Sequence, residues 1–277
     1  MGGKPGALSS FNDTINIYLS DIRGAVKPFI GFTVAAAIVY YLDFLNGIFT
    51  GISGFTAGVL LIISVLLIIL KTAISYIGSV SVYSMYPDIY GIISNKKTKA
   101  KLKLTEWKKT LVVIVVFFIL RLPALLAIAI PLFMVLGNIA VDILFYRDFG
   151  SIGMETLGII AVPSVLLGIG GAIAYLFLLS LFTIFVPYEY FLEKQGIFSS
   201  LKKSIILVKN NLLSSTGMLI LLTVVDCAFS LVIFLPATCC FIFPLNAAAR
   251  GLTLFPVTTM SKMKLWDGIR GKPPKSL

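Results

Sequence analysis

The sequence predicts an all-α polytopic membrane protein of six transmembrane helices with amphipathic interfacial helices. Three observations carry that reading. Hydrophobic residues fill 58% of the 277 positions and charged residues only 13%, against roughly 25% charged in a soluble domain. The apolar residues gather into runs of the ~20 residues that span hydrocarbon. Lys and Arg fall almost entirely in alternate gaps between those runs, as retained cytoplasmic loops require.

Residues 1–27 form an amphipathic segment. Phe11, Ile15, Leu19, Ile22 and Val26 recur on one helical face, with Asp13, Asn16, Ser20 and Arg23 elsewhere. Such a helix either lies in the membrane plane or packs on the bundle. The segment lacks the short apolar core and small-residue cleavage site of a secretory leader. The membrane domain then covers 28–262, and 263–277 is a basic cytoplasmic tail.

Within that domain the spans are 28–45, 55–85, 110–136, 157–186, 212–235 and 241–260. Seven lysines crowd into Lys96–Lys109, after the second span. Nineteen cations fall in the N-terminal segment, the second and fourth gaps and the tail. The other gaps hold Arg147 alone. The protein is therefore expected in the cytoplasmic membrane with both termini cytoplasmic. Trp107, Trp266, Tyr188 and Tyr190 fall at cytoplasmic ends and Tyr40 and Tyr41 at an outer end, where amphipathic rings favour the headgroup level. Residues 196–211 give a second amphipathic helix, with Phe198, Leu201, Ile205 and Val208 aligned and Lys202, Lys203 and Lys209 supplying charge.

Small residues and prolines punctuate the spans. Gly54 and Gly58, and Ser164 and Gly168, are spaced for close helix packing. Pro123, Pro131, Pro163, Pro244 and Pro256 are placed to kink helices, either as static features or as a transport hinge.

Composition narrows the chemistry. The net charge is +11, but the basic residues flank apolar spans, which favours membrane orientation and anionic lipid headgroups over nucleic acid. Histidine is absent, which removes the commonest general acid–base and metal ligand. No nucleophile–base pair, phosphate loop or metal-ligand spacing is legible, so neither catalysis nor a cofactor is expected. Cys227 reads as apolar filler, and Cys239 and Cys240 as filler or a disulfide pair.

Four charges fall deep in spans: Lys71, Arg121, Asp226 and Arg250. Each costs ~3 kcal/mol near the bilayer centre on insertion scales, so each should face the bundle interior or water. Asp226 and Arg250 lie on antiparallel neighbours at depths of roughly 21 and 15 Å, which makes them a candidate ion pair. Polar neighbours extend the same faces: Asn246 and Thr253 beside Arg250; Thr216, Thr223 and Ser230 beside Asp226; Ser64, Ser75 and Gly78 beside Lys71. Three cations against one acid leave a surplus that would suit a phosphate, a carboxylate or a lipid headgroup. Lys71, Arg121, Asn246 and Arg250 are the candidate ligand-binding residues. A proton relay through Asp226 is a lesser alternative, and in the structural reading Lys71 and Arg121 snorkel to an interface.

The stretch VPYEYFLEKQGIFSSLKKSIILVKNN resembles the membrane domain attached to some bacterial glycerophosphodiester phosphodiesterases, and related stand-alone six-span proteins of uncharacterised function. The likeness covers about residues 180–260. Pro187 ends a span with Glu189 or Glu193 beside it, Gly196 follows, and a basic amphipathic helix carries Leu201, Lys202, Lys203, Ser204 and Leu207 to Lys209 and Asn210. It implies a six-helix membrane fold. It does not imply phosphodiesterase activity, since neither the soluble catalytic domain nor any histidine is read in the chain. The leading expectation is binding or translocation of an anionic amphiphile or small anion, with membrane lipids as partners. The alternative is a non-catalytic accessory or structural subunit with a membrane-protein partner.

Overall fold

A computed structural model describes residues 6–51, 57–94, 106–146, 153–234 and 248–271. Among these the chain is all-helical. Helices α1 (Ala7–Ser20) and α2 (Ile22–Val26) lead through a 3-10 turn, Lys27–Phe29, into α3 (Ile30–Gly51). α4 (Ala57–Ser84), α5 (Tyr86–Ile93), α6 (Trp107–Tyr146) and α7 (Gly153–Thr183) follow. Then come α8 (Val186–Leu192), α9 (Ile197–Asn210) and α10 (Leu212–Phe234), a π-helical turn over Arg250–Leu254, and α11 (Phe255–Arg270).

Five helices among the described residues, α3, α4, α6, α7 and α10, are long and apolar enough to cross a membrane. Their flanks expose Val34, Ile62, Leu66, Ile77, Leu167 and Leu213. Water does not tolerate so much contiguous apolar surface, whereas hydrocarbon does. The chain is a membrane protein by the length and composition of these helices. The expected sixth span, 241–260, lies partly outside the described residues. Its described part combines the π turn with the start of α11.

Residues 1–112 and 184–277 make one compact unit, and 113–183 make another. In the first, α3 and α4 pair along their length. Two glycines permit the approach. A Cβ on Gly31 would lie 2.2 Å from Ser81 Oγ, and one on Gly78 would lie 2.8 Å from Ala35 Cβ. Gly54 lies outside the described residues. In the second unit α6 runs unbroken through Pro123 and Pro131, and α7 through Pro163. Tyr175 there donates to the Leu120 carbonyl at 2.7 Å. Pro244 lies outside the described residues, and Pro256 follows the π turn directly at the start of α11, so its missing N–H leaves the Leu252 carbonyl, four residues back, to accept from Tyr18 Oη.

Two helix breaks share one grammar. Met85 and Phe185 leave the helical line, and Pro87 and Pro187 restart it in the first turns of α5 and α8. Asp88 and Glu189 fall in those first turns, where the helix dipole favours an acid. The Phe185 N–H donates to Ser204 Oγ of α9 at 3.3 Å. α5, α8, α9 and α11 thereby gather at one polar end around an aromatic core. Tyr83 stacks on Phe191 at 4.7 Å, Tyr86 meets Tyr188 at 5.3 Å, and Tyr188 meets Trp266 at 6.0 Å.

That core corrects the headgroup-level reading of three aromatics. Trp266, Tyr188 and Tyr190 are buried, while Trp107, Tyr40 and Tyr41 are exposed. The short helices α5 and α8 pack with α11 and enclose the first three rings.

Of the two alternatives for the amphipathic helices, both pack on neighbouring helices, and they do so through small polar residues. α1 turns Ser10 and Thr14 inward, packs on α10 and α11, and exposes Leu8 and Leu19. α9 buries Ile197, Ser200, Ser204 and Val208 and leaves Phe198 77% exposed. Small polar residues allow close helix approach, and the apolar face is left for lipid, the reverse of a soluble amphipathic helix.

Candidate functional site

Each deep charge of the first unit has a polar partner. Lys71 on α4 donates to Asp43 Oδ1 on α3. Two more residues of the α4 stripe face the same helix: Ser64 Oγ donates to Asn46 Oδ1 at 3.4 Å, and Gly78 meets Ala35, while Ser75 is exposed. A count of three deep cations against one acid omits Asp43, which lies two residues from the end of the 28–45 span and so reads from sequence as an outer-end residue.

Arg250 extends from the π turn to α10. Its Nη1 lies 3.8 Å from Asp226 Oδ1, and its Nη2 donates to Ser230 Oγ. Its Nε is buried without a partner. Thr253 and Thr223 are exposed, and their hydroxyls bond the preceding turns of their own helices. Arg121 is exposed in the second unit. Asn246 lies outside the described residues, as do Cys239, Cys240 and most of the lysine run.

The π turn shapes a second region. Its wider winding changes the i→i+4 ladder, and such turns recur at functional sites. The Leu252 carbonyl accepts from Tyr18 Oη at 2.8 Å, tying α1 to the turn. Gly251 admits α3 at close range: a Cβ there would lie 2.5 Å from Thr33 Oγ1. Beside this junction is an open groove of about 570 Å³, lined by Tyr18, Ile22, Arg23, Val26, Lys27, Ile30 and Leu252. Two exposed cations thus stand over an apolar floor. Residues 22–27 were legible as an amphipathic turn, but Leu252 was not, since it lies more than two hundred residues away.

The third region is the polar end. Trp266 Nε1 donates to Glu189 Oε1 at 2.9 Å. The Arg270 guanidinium lies over the Trp266 ring at 4.9 Å and reaches Glu193 Oε1 at 2.7 Å. Tyr90 Oη donates to Asp267 Oδ1 at 2.7 Å. Burial first, then this hydrogen bond to a carboxylate, pushes the Tyr90 phenol well above its usual range. Burial alone lowers the Lys262 ammonium below its ordinary 10.5. Glu189 and Glu193 are almost wholly buried, an uncommon fate for carboxylates. Sequence reading took Arg270 as a topological cation. The signal that pointed here was the acid beside Pro187.

No metal-holding cluster of acids and cysteines occurs among the described residues. The chain matches no family model, no curated protein and no solved structure.

Proposed function

We propose that this is a six-span protein of the cytoplasmic membrane, with both termini cytoplasmic, that binds an anionic amphiphile in the groove beside α1 and α2. The carrying observation is the pairing of Arg23 and Lys27 with the apolar floor of Ile22, Val26, Ile30 and Leu252. A phosphate or carboxylate headgroup would take the two cations, and an acyl chain would cover the floor. Binding is favoured over passage through the deep charges, because Lys71 and Arg250 already hold acidic partners. The likeness of residues 180–260 to the phosphodiesterase-associated membrane domain supports the six-span reading, without any catalytic role.

The test is native mass spectrometry of the full chain from nanodiscs containing equal phosphatidylglycerol and phosphatidylcholine. The protein should retain phosphatidylglycerol preferentially, and the Arg23→Gln/Lys27→Gln variant should lose that preference. Equal retention by both proteins would reject the groove as the site.

A second reading, a non-catalytic accessory subunit, draws on the same acid-paired Lys71 and Arg250. Charges neutralised between helices fix packing and need no ligand. Co-purification of one stoichiometric membrane partner, with no lipid preference, would favour it.

A further inference from the structure

At the polar end a pocket of about 200 Å³ is lined by Glu189, Lys203, Ile206, Leu207 and Arg270. Two of its charged groups are incompletely satisfied. Glu189 is 2% exposed, and while Oε1 accepts from Trp266, Oε2 is buried with no partner. Arg270 gives Nη2 to Glu193, while its buried Nη1 has no acceptor. Leaving a buried charged atom unpaired is costly, and native structures rarely carry one without a reason.

The unfilled valences have opposite sense. Glu189 Oε2 needs a donor, and Arg270 Nη1 needs an acceptor. Lys203, exposed on α9, adds a second cation to the lining. Glu189 and Glu193 together balance Arg270 and Lys203, so a simple anion or cation would leave net charge. A neutral group carrying both signs would not. Ile206 and Leu207 add an apolar wall on which an attached chain could lie.

We propose that this pocket binds an aminoethyl phosphodiester group, its ammonium donating to Glu189 Oε2 and its phosphate accepting from Arg270 Nη1 and Lys203 Nζ. Both inner atoms are buried. A phospholipid headgroup and a small soluble diester such as 2-aminoethyl methyl phosphate share this chemistry. The site is separate from the Arg23–Lys27 groove and does not depend on it.

The chain has two tryptophans, so a Trp107→Phe background leaves Trp266 as the only indole reporter. Purified full-length protein in non-ionic detergent is titrated with dihexanoyl-phosphatidylethanolamine, dihexanoyl-phosphatidylcholine, dihexanoyl-phosphatidylglycerol and 2-aminoethyl methyl phosphate. The ethanolamine lipid should give a saturable change in Trp266 emission. Glu189→Gln, which keeps an acceptor for Trp266, should weaken it by about tenfold or more. Lys203→Gln, at an exposed position, should weaken it several-fold and carries the test if Glu189→Gln fails to fold. Arg23→Gln/Lys27→Gln should leave it unchanged. Comparable binding of 2-aminoethyl methyl phosphate would identify a soluble ligand of the same class. Equal binding of the choline or glycerol lipid, no saturable signal, or wild-type affinity in Lys203→Gln would overturn the proposal.

Discussion

Trp266 and Glu189 stand 77 residues apart in sequence and are joined by a buried 2.9 Å hydrogen bond from Nε1 to Oε1. The bond fastens α8 to α11 beneath the Arg270 guanidinium. It is the only hydrogen bond found for the Glu189 carboxylate among the described residues, since Oε2 has none. Trp266→Phe would keep most of the ring and strip the acid of its donor. We expect a loss on the order of 1–3 kcal/mol, larger than that of Glu189→Gln, which retains an acceptor. Unfolding in mixed micelles followed by circular dichroism makes the comparison; a larger loss in Glu189→Gln would count against the bond as the fastening element.

Gly251 tests the junction of α3 with the π turn. Its Cβ would meet Thr33 Oγ1 at 2.5 Å and Thr33 Cβ at 2.9 Å, and Thr33 is buried. Gly251→Ala should therefore cost roughly 1–3 kcal/mol through overpacking. Adding Thr33→Ala should restore part of that stability. If the two losses simply add, the contact is not the cause.

The contact between Arg250 and α10 has two components, Asp226 at 3.8 Å and the Ser230 hydroxyl. The longer reach to Asp226 predicts modest coupling. In a double-mutant cycle of Asp226→Asn with Arg250→Gln, the interaction should be on the order of 1 kcal/mol. Ser230→Ala should lower stability in the wild type and have little effect once Arg250 is replaced. Strict additivity in both cycles would mean that Arg250 is held by other groups.

Hydropathy and the period of apolar residues made the long helices and α1 and α9 legible, because both follow from local sequence. Sequence left open whether these two helices lie in the membrane plane or pack on the bundle, and it did not show which face turns inward. A helical wheel ranks Phe198 above Ser200, but packing between helices in lipid rewards the smaller side chain. Trp266 and Tyr188 were read as headgroup anchors because their positions at span ends fit that role. Only the packing of α5 and α8 with α11 encloses them. Asp43 went unpaired in the sequence reading because its partner, Lys71, lies 28 residues on and across a helix pair whose register the sequence does not display. The Glu189–Arg270 pocket depends on three helices meeting, which no local pattern encodes.

Orientation has a direct check. In a background where Cys227, Cys239 and Cys240 are replaced by Ser, Thr98→Cys should resist an external impermeant thiol reagent in intact cells, and Ser151→Cys should react. The reverse labelling pattern would invert the proposed topology, and equal labelling would remove the crossing between those two positions.

The polar end also predicts opposite alkaline responses. Lys262 has its pKa lowered by burial, so between the folded value and 10.5 the unfolded chain binds more protons than the folded one. Stability must rise with pH across that window, and the penalty is fully present below it. Lys262→Met should raise stability near neutrality and flatten that rise. Tyr90 has its pKa raised by burial and by its bond to Asp267. Above its ordinary value of 10.0 the folded chain holds the proton that the unfolded chain releases, so this contribution is present below pH 10 and is lost as pH climbs toward the folded value. Tyr90→Phe should remove that alkaline loss, and with it the bond to Asp267. Chemical unfolding at half-unit steps from pH 7 to 11 separates the two, and unchanged slopes in both variants would show that neither group is linked to folding.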